Sequence, residues 1–277
     1  MNGIQKVVDL IFAPFASLAP VWGLAFATLL VTAFALVVYK YTSSQKGIKV
    51  AKEKIKAHFV EVWLYIDDPL LILKAQAGIF GNGGKYLAYA LVPMAIMFLP
   101  VLVLLINMEF RYHYRPFEPG ETFLLKVQLS SQVQDWMNAV KVELPQNLEL
   151  AAPPLRIQDT DAKGREFREI DYQLKVIAKG SEPATITAGG VSQAIKIYAD
   201  PSGNPRLSPV IGSGFASSFW RPAQLPLDPN RGLEKIEIAY PEADLNFFGW
   251  KTWWVWPMII LMFAFAFALK PIIKVEF

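Results

Sequence analysis

Three long stretches without a charged side chain constrain this sequence more than any other feature. Positions 11–39 hold 29 consecutive residues without Asp, Glu, Lys or Arg, positions 86–108 hold 23, and positions 252–269 hold 18. A helix needs about 20 apolar residues to cross a bilayer, with a range of roughly 17–25. Charged residues make up only 18% of the chain, against about 25% in soluble domains. The sequence therefore predicts an α-helical membrane protein with three transmembrane helices.

Local signals set the bounds of these spans. Pro14 and Pro20 divide the first stretch, so we place the first span at 21–39, the second at 85–108 and the third at 251–270. The third span begins with tryptophans, which favour the headgroup region of a bilayer: Trp253, Trp254 and Trp256.

The distribution of charge predicts the orientation. Positions 40–85 hold eight Lys and four acidic residues, whereas positions 109–250 hold 15 basic and 18 acidic residues. Lys and Arg in short loops mark the cytoplasmic side of a membrane. We therefore expect 40–84 and the tail 271–277 in the cytoplasm, and 109–250 outside, in the cytoplasmic membrane of a bacterium.

The N-terminal segment 1–20 is expected to lie outside as well. Its apolar residues at 4, 7, 8 and 11 share one side of a helix, which predicts an amphipathic helix on the outer membrane surface. The basic flank follows the first apolar stretch, which is the wrong side for a cleaved signal peptide, so we expect this segment to be retained.

The segment 40–84 reads as a basic helical hairpin. Its first helix has an apolar stripe at steps of three and four residues: Ile48, Ala51, Ile55, Phe59, Val62 and Ile66. Asp68 suits the N-cap and Pro69 the first position of a second helix. We expect that helix to end near Phe80, because Gly81-Asn82-Gly83-Gly84 follows it. The apolar faces then pack on each other, on the membrane surface or on a client protein.

Positions 109–250 are typical of an all-β domain. About seven short segments alternate apolar and polar residues between turn residues, which predicts an antiparallel sandwich-like domain: 123–129, 139–144, 147–151, 170–177, 183–187, 192–198 and 233–239. Positions 201–231 are rich in Pro, Ser, Gly and Asn and read as a long loop. We interpret Phe215, Phe219 and Trp220 within it as a candidate outer contact surface, or as the residues on which the loop packs against itself.

The residue composition excludes several kinds of catalytic and metal site. The chain has no Cys and two His, His58 and His113, so disulfides, thiolate metal sites and Cys nucleophiles are excluded. The Gly-rich stretch at 78–85 does not match a phosphate-binding loop, because position 79 is Ile and position 86 is Tyr. Helix capping explains Asp68. We therefore expect no enzymatic activity, no cofactor and no metal site.

The order of these parts resembles the YidC/Oxa superfamily of membrane protein insertases, in its three-span branch of archaeal YidC-like proteins and the insertase subunit of the ER membrane complex. The resemblance covers 1–108 and the last span, and the residues that carry it are 39–43, 46–56, 67–69, 83–85, Pro93 and Pro100. Two features depart from the family. No Arg matches the one that faces the family's hydrophilic groove, and a β-domain separates the second and third spans.

The resemblance implies a non-enzymatic insertase or assembly factor. It points to a client groove beside the kinked second span, with candidate residues Thr28, Thr32, Tyr89, Pro93 and Pro100. A basic cytoplasmic surface would meet anionic lipid headgroups or the ribosome, without sequence-specific nucleic acid binding: Lys40, Lys46, Lys49, Lys52, Lys54 and Lys56. The alternative is a structural subunit of a larger membrane complex, whose β-domain docks an outer partner.

Overall fold

The computed structural model describes most of the chain, namely 9–10, 12–15, 18–130, 133, 136–138, 140–160, 164, 166–188, 191–200, 204–214, 220, 226–227 and 232–275. The chain forms two compact units. The β unit comprises 1–23 and 105–254, and the helical unit comprises 24–104 and 255–277. Much of the amphipathic helix expected at 1–20 lies outside the described residues. Within them, 9–10 and 12 are helical and a short 3₁₀ turn spans Ala13–Phe15.

In the described part of the chain, four long helices carry most of the apolar sequence: α1 Pro20–Thr42, α2 Gln45–Leu64, α3 Pro69–Tyr112 and α4 Val255–Ile273. Among the described residues, α1, α3 and α4 are long and apolar enough to cross a membrane. Helix α3 contains the whole stretch 86–108, and α1 and α4 contain most of the other two, namely 20–39 and 255–269. The prediction of a helical membrane protein with three candidate spans therefore agrees with the structure.

The start of α3 follows from its capping residues. The Asp68 carboxylate oxygen Oδ1 accepts hydrogen bonds from the backbone N–H groups of Leu70 and Leu71, at 2.9 and 3.2 Å. Pro69 occupies the first position of the helix, where a missing N–H has no consequence. The predicted start of this second helix is therefore confirmed.

The prediction that Gly81-Asn82-Gly83-Gly84 ends this helix is wrong. Helix α3 runs without a break for 44 residues and also passes through Pro93 and Pro100. A glycine in a helix is less favourable than alanine by about 1 kcal/mol but still donates its backbone hydrogen bond. Asn82 adds a bond within the helix, from its amide Nδ2 to the Gly78 carbonyl at 2.8 Å. The hairpin and the second apolar stretch consequently share one helix.

The described residues of the β unit form eleven strands: β1 Thr122–Leu129, β2 Val140–Glu143, β3 Leu148–Leu150, β4 Leu155–Thr160, β5 Glu166–Val176, β6 Pro183–Ala188, β7 Val191–Lys196, β8 Val210–Gly212, β9 Leu233–Ile238, β10 Leu245–Phe247 and β11 Trp250–Thr252. The largest sheet has the order β3-β5-β1-β9-β8, with β4 also pairing with β5. A second sheet has the order β2-β6-β7, and β10 pairs with β11. All these pairings are antiparallel.

One apolar core draws on both larger sheets. In β1 the alternate residues are buried, and Val127 lies opposite the buried Ile170 of β5. The second sheet contributes Ile186 and Ile195 to the same core. Strand β4 escaped the sequence prediction because none of its residues is buried and it therefore lacks the alternation that signals a strand.

Candidate functional site

A cavity of about 310 Å³ lies between α2 and α3 in the helical unit. We call it the lysine cavity. Its lining comes from one face of each helix: Lys46, Gly47, Val50, Ala51 and Lys54 of α2, and Asn82, Lys85 and Tyr89 of α3.

Two glycines allow α2 and α3 to approach closely beside this cavity. A Cβ atom at Gly47 would lie 2.7 Å from the Tyr89 ring, and one at Gly78 would lie 2.5 Å from the His58 imidazole. Both distances are too short for any larger side chain unless the ring moves. The His58 Nδ1 atom in turn lies 2.7 Å from a carboxylate oxygen of Glu61. The two aromatic rings thus fill space that the missing side chains leave.

The lysine cavity has the charge of an anion site. Lys46 and Lys54 come from α2 and Lys85 from α3, and no Asp or Glu is among the residues that line it. Within the part of the chain that the structure describes, no group of three His, Asp or Glu side chains is placed to hold a metal ion. The cavity is therefore suited to bind a negatively charged group through ammonium donors.

The structure places the five candidate groove residues in different environments. Thr28 and Thr32 are buried, and their hydroxyls donate to the carbonyls of Leu24 and Thr28 at 2.8 and 2.7 Å. Tyr89 lines the lysine cavity, Pro93 is buried and Pro100 is exposed. The lysine cavity is lined by Tyr89 and by none of the other four candidates.

The predicted basic surface is divided in a similar way. Lys46 and Lys54 line the cavity, whereas Lys40, Lys49, Lys52 and Lys56 do not. Sequence reasoning did not assign Asn82 or Lys85 to this site, because the second helix was expected to end near Phe80, before both residues. Only the continuity of α3 places these two residues next to the hairpin lysines.

The far end of the hairpin exposes large apolar side chains. The predicted stripe is buried only where it starts, at Ile48 and Ala51. The exposed residues, which we call the apolar tip, are Phe59, Val60, Trp63, Leu64, Ile66, Leu70 and Leu73. Trp63 is 80% exposed. These seven side chains fall within 15 consecutive positions, 59–73. Exposed apolar side chains that lie together are typical of a surface that contacts a protein or a membrane.

The candidate outer contact loop is only partly described. Trp220 is 53% exposed. Phe215 and Phe219 lie outside the described residues.

A buried ionic cluster in the β unit joins three distant parts of the sequence. The Asp9 carboxylate accepts hydrogen bonds from Arg111 at 2.8 Å and from Arg206 at 2.7 Å. Arg206 also donates to the side-chain oxygen of Asn107 at 2.9 Å, and Arg111 donates to the Asn204 carbonyl at 2.9 Å. Burial lowers the pKa of Arg206, while Asp9 opposes that shift. Sequence reasoning missed this cluster because no local pattern connects residues that lie 93 to 197 positions apart.

Comparison of the chain with protein-family models, with curated protein sequences and with solved structures found no match. Function is therefore inferred from the lysine cavity, the apolar tip and the three membrane-length helices.

Proposed function

We propose that this protein is a YidC-like insertase or assembly factor that assists other membrane proteins without catalysing a covalent reaction. The observation that carries the proposal is the apolar tip, on a hairpin whose second helix continues as a membrane-length helix. In this view the protein resides in the cytoplasmic membrane of a bacterium, with the hairpin in the cytoplasm and a sandwich-like β-domain outside.

The apolar tip would provide the first contact with a client. A client segment that leaves the ribosome must cover its apolar side chains before it reaches lipid. Burying apolar surface stabilises a complex by roughly 25 cal/mol per Å². Because α3 is continuous, the face that meets the client leads directly to the helix that meets the bilayer. No nucleophile or metal is needed for such a transfer.

Charge supports the same orientation. The excess of Lys in 40–85 would hold the hairpin on the cytoplasmic side. The mildly acidic β unit would face outwards. The family resemblance of 1–108 agrees with this arrangement.

Insertion of a short-tailed client protein into liposomes that contain the purified protein tests the proposal. We expect more insertion than into protein-free liposomes. Trp63→Gln and Ile66→Gln, made as single variants in the apolar tip, each remove about 1 kcal/mol of binding free energy for the client. Each should therefore lower insertion about fivefold. The matched control is Leu155→Gln, which removes an exposed apolar side chain from β4 of the β unit.

Equal insertion into liposomes with and without the protein would contradict the proposal. So would a Leu155→Gln variant that loses as much activity as the tip variants, because the loss would then not depend on the hairpin.

A structural subunit of a larger membrane complex is the second candidate. It is favoured by Thr28 and Thr32, whose buried and internally bonded hydroxyls do not suit an open hydrophilic groove. Exposed apolar side chains on the β unit, Leu155, Ile177 and Trp220, would dock the partner. Purification in a gentle detergent should then retain other subunits, and a lone monomer would argue against this candidate.

Substitution of the basic residues separates the two candidates. Changing Lys46, Lys49, Lys52, Lys54 and Lys56 to Gln should impair an insertase that works through the hairpin. The same changes should leave an outer scaffold able to bind its partner through the β unit.

A further inference from the structure

We propose that the lysine cavity binds the phosphate group of an anionic phospholipid headgroup. The proposal requires that α3 lies in a bilayer. It does not require that the protein inserts clients, so it can hold even where the insertase proposal fails.

The position of the cavity along α3 is the first step. Lys85 and Tyr89 line the cavity, and the charge-free stretch of α3 begins at Tyr86. In a bilayer-spanning α3, the residues at that boundary lie at the level of the headgroups. Tyrosine favours the same level, since its ring is apolar and its hydroxyl is polar. A lipid whose acyl chains lie along α3 therefore places its headgroup beside the lysine cavity.

The chemistry of the lining is the second step. Lys46 and Lys54 on α2 and Lys85 on α3 supply ammonium groups from both sides of the cavity. Lysine binds phosphate as a point charge with three donors. Basic pockets between membrane helices hold anionic headgroups in this way.

The size of the cavity is the third step. Its volume of about 310 Å³ falls at the lower end of the range of roughly 300–1,000 Å³ for small-molecule sites. It exceeds by far the space that a single water molecule needs. The close packing of Gly47 on the Tyr89 ring holds the two helices at this spacing.

The same helix provides a control for diffuse attraction. Lys49, Lys52 and Lys56 lie on α2 but do not line the cavity. Removing them lowers the net charge of 40–85 by the same amount as removing the three cavity lysines. A general attraction to anionic membranes should weaken equally with both changes. A specific site should lose binding only when the three cavity lysines are removed.

The test uses the full chain, purified in an uncharged detergent and exposed to mixed micelles with equal phosphatidylglycerol and phosphatidylcholine. Native mass spectrometry then measures which lipid stays bound. We expect the wild type and K49Q/K52Q/K56Q to retain phosphatidylglycerol in preference to phosphatidylcholine. We expect K46Q/K54Q/K85Q to lose that preference, with about a fivefold loss for each lysine. The variant K46R/K54R/K85R should keep it.

Three results would overturn the proposal. The first is equal binding of the two lipids by the wild type, and the second is an equal loss in both Gln variants. The third is displacement of phosphatidylglycerol by millimolar inorganic phosphate, which would assign the cavity to a soluble anion. Of the six lysines changed in the two Gln variants, all but Lys52 are exposed, so their replacement should leave the fold intact. Retention of helical circular dichroism by the cavity variant checks this.

Discussion

At the scale of single residues, Asp9 joins two buried guanidinium groups in the β unit. It is the only acid that the described structure shows bonded to the two buried guanidinium groups of Arg111 and Arg206. Two buried cations that share one carboxylate depend on it, because an uncompensated charge in a low-dielectric site is strongly unfavourable.

Replacing Asp9 with Asn should therefore destabilise the protein. We expect a loss of about 2 kcal/mol, below the full value for a buried pair because the Asp9 side chain is 37% exposed. Thermal unfolding of the full chain in detergent measures it. The control is Glu149→Gln, which breaks a surface pair with Lys175 at 3.6 Å and should change stability by less than about 1 kcal/mol.

A double variant tests the cause. If electrostatic repulsion between the arginines produces the loss, Asp9→Asn combined with Arg206→Met should be less destabilised than the sum of the single variants. Strict additivity would show that Asp9 acts through some other contact.

Glu121 makes a pH-dependent contribution. The Arg115 guanidinium donates two hydrogen bonds to its carboxylate, at 2.6 and 3.0 Å, and thereby holds the pKa of Glu121 below its usual range. A carboxyl whose pKa falls on folding stabilises the native state at neutral pH, and this stabilisation is lost as pH falls through the folded pKa.

Glu121→Gln should accordingly lower stability at pH 7 by up to about 1 kcal/mol, because both partners are partly exposed. The difference from the wild type should shrink below about pH 4, where the wild-type carboxyl is protonated too. Melting temperatures of both proteins across pH measure this. A difference that stays constant down to pH 3 would contradict the assignment.

At the scale of elements, helix α3 contains one glycine that packs against a neighbouring side chain and another that faces open space. A Cβ at Gly78 would meet the His58 ring at 2.5 Å, whereas a Cβ at Gly83 would meet nothing within 4 Å. Gly78→Ala should therefore loosen the packing of α2 on α3. Gly83→Ala should stabilise the helix by up to about 1 kcal/mol, since alanine loses less entropy there.

Hydrogen exchange of the backbone amides of α2 reports this packing. We expect faster exchange in Gly78→Ala and unchanged or slower exchange in Gly83→Ala. Slower exchange in both variants would mean that the ring of His58 moves aside easily and that Gly78 is not needed for the contact.

The same helix shows how far sequence could go. The apolar stretches, the Asp68–Pro69 cap and the alternation of β1 depend on local pattern, and these elements were predictable. The continuity of α3 was not predictable. Local propensity judges the glycine cluster at 81–84 by itself and does not include the long apolar helix that follows it. Strand β4 pairs with the next strand along the chain but buries none of its residues, whereas the Asp9 cluster joins residues 102 and 197 positions apart. The lysine cavity depends on both helices at once.

At the scale of the whole molecule, the small net charge of +3 conceals two regions of opposite sign. The basic region is 40–85, which includes the three lysines of the lysine cavity, and the mildly acidic region is 109–250, within the β unit. This separation is what an orientation signal requires, since Lys and Arg resist transfer across the membrane during insertion. The charge distribution therefore supports the orientation proposed above.

The absence of Cys makes this orientation directly measurable, because a single introduced thiol is unique in the chain. Trp63→Cys reports on the hairpin and Leu155→Cys on the β unit, at side chains that are 80% and 60% exposed. A membrane-impermeant maleimide applied to intact spheroplasts should label Leu155→Cys alone, and Trp63→Cys should react only after permeabilisation. Met108→Cys, at a site only 2% exposed, should stay unlabelled in both. Labelling of both exposed sites from one side would contradict the orientation and, with it, a cytoplasmic apolar tip that meets clients.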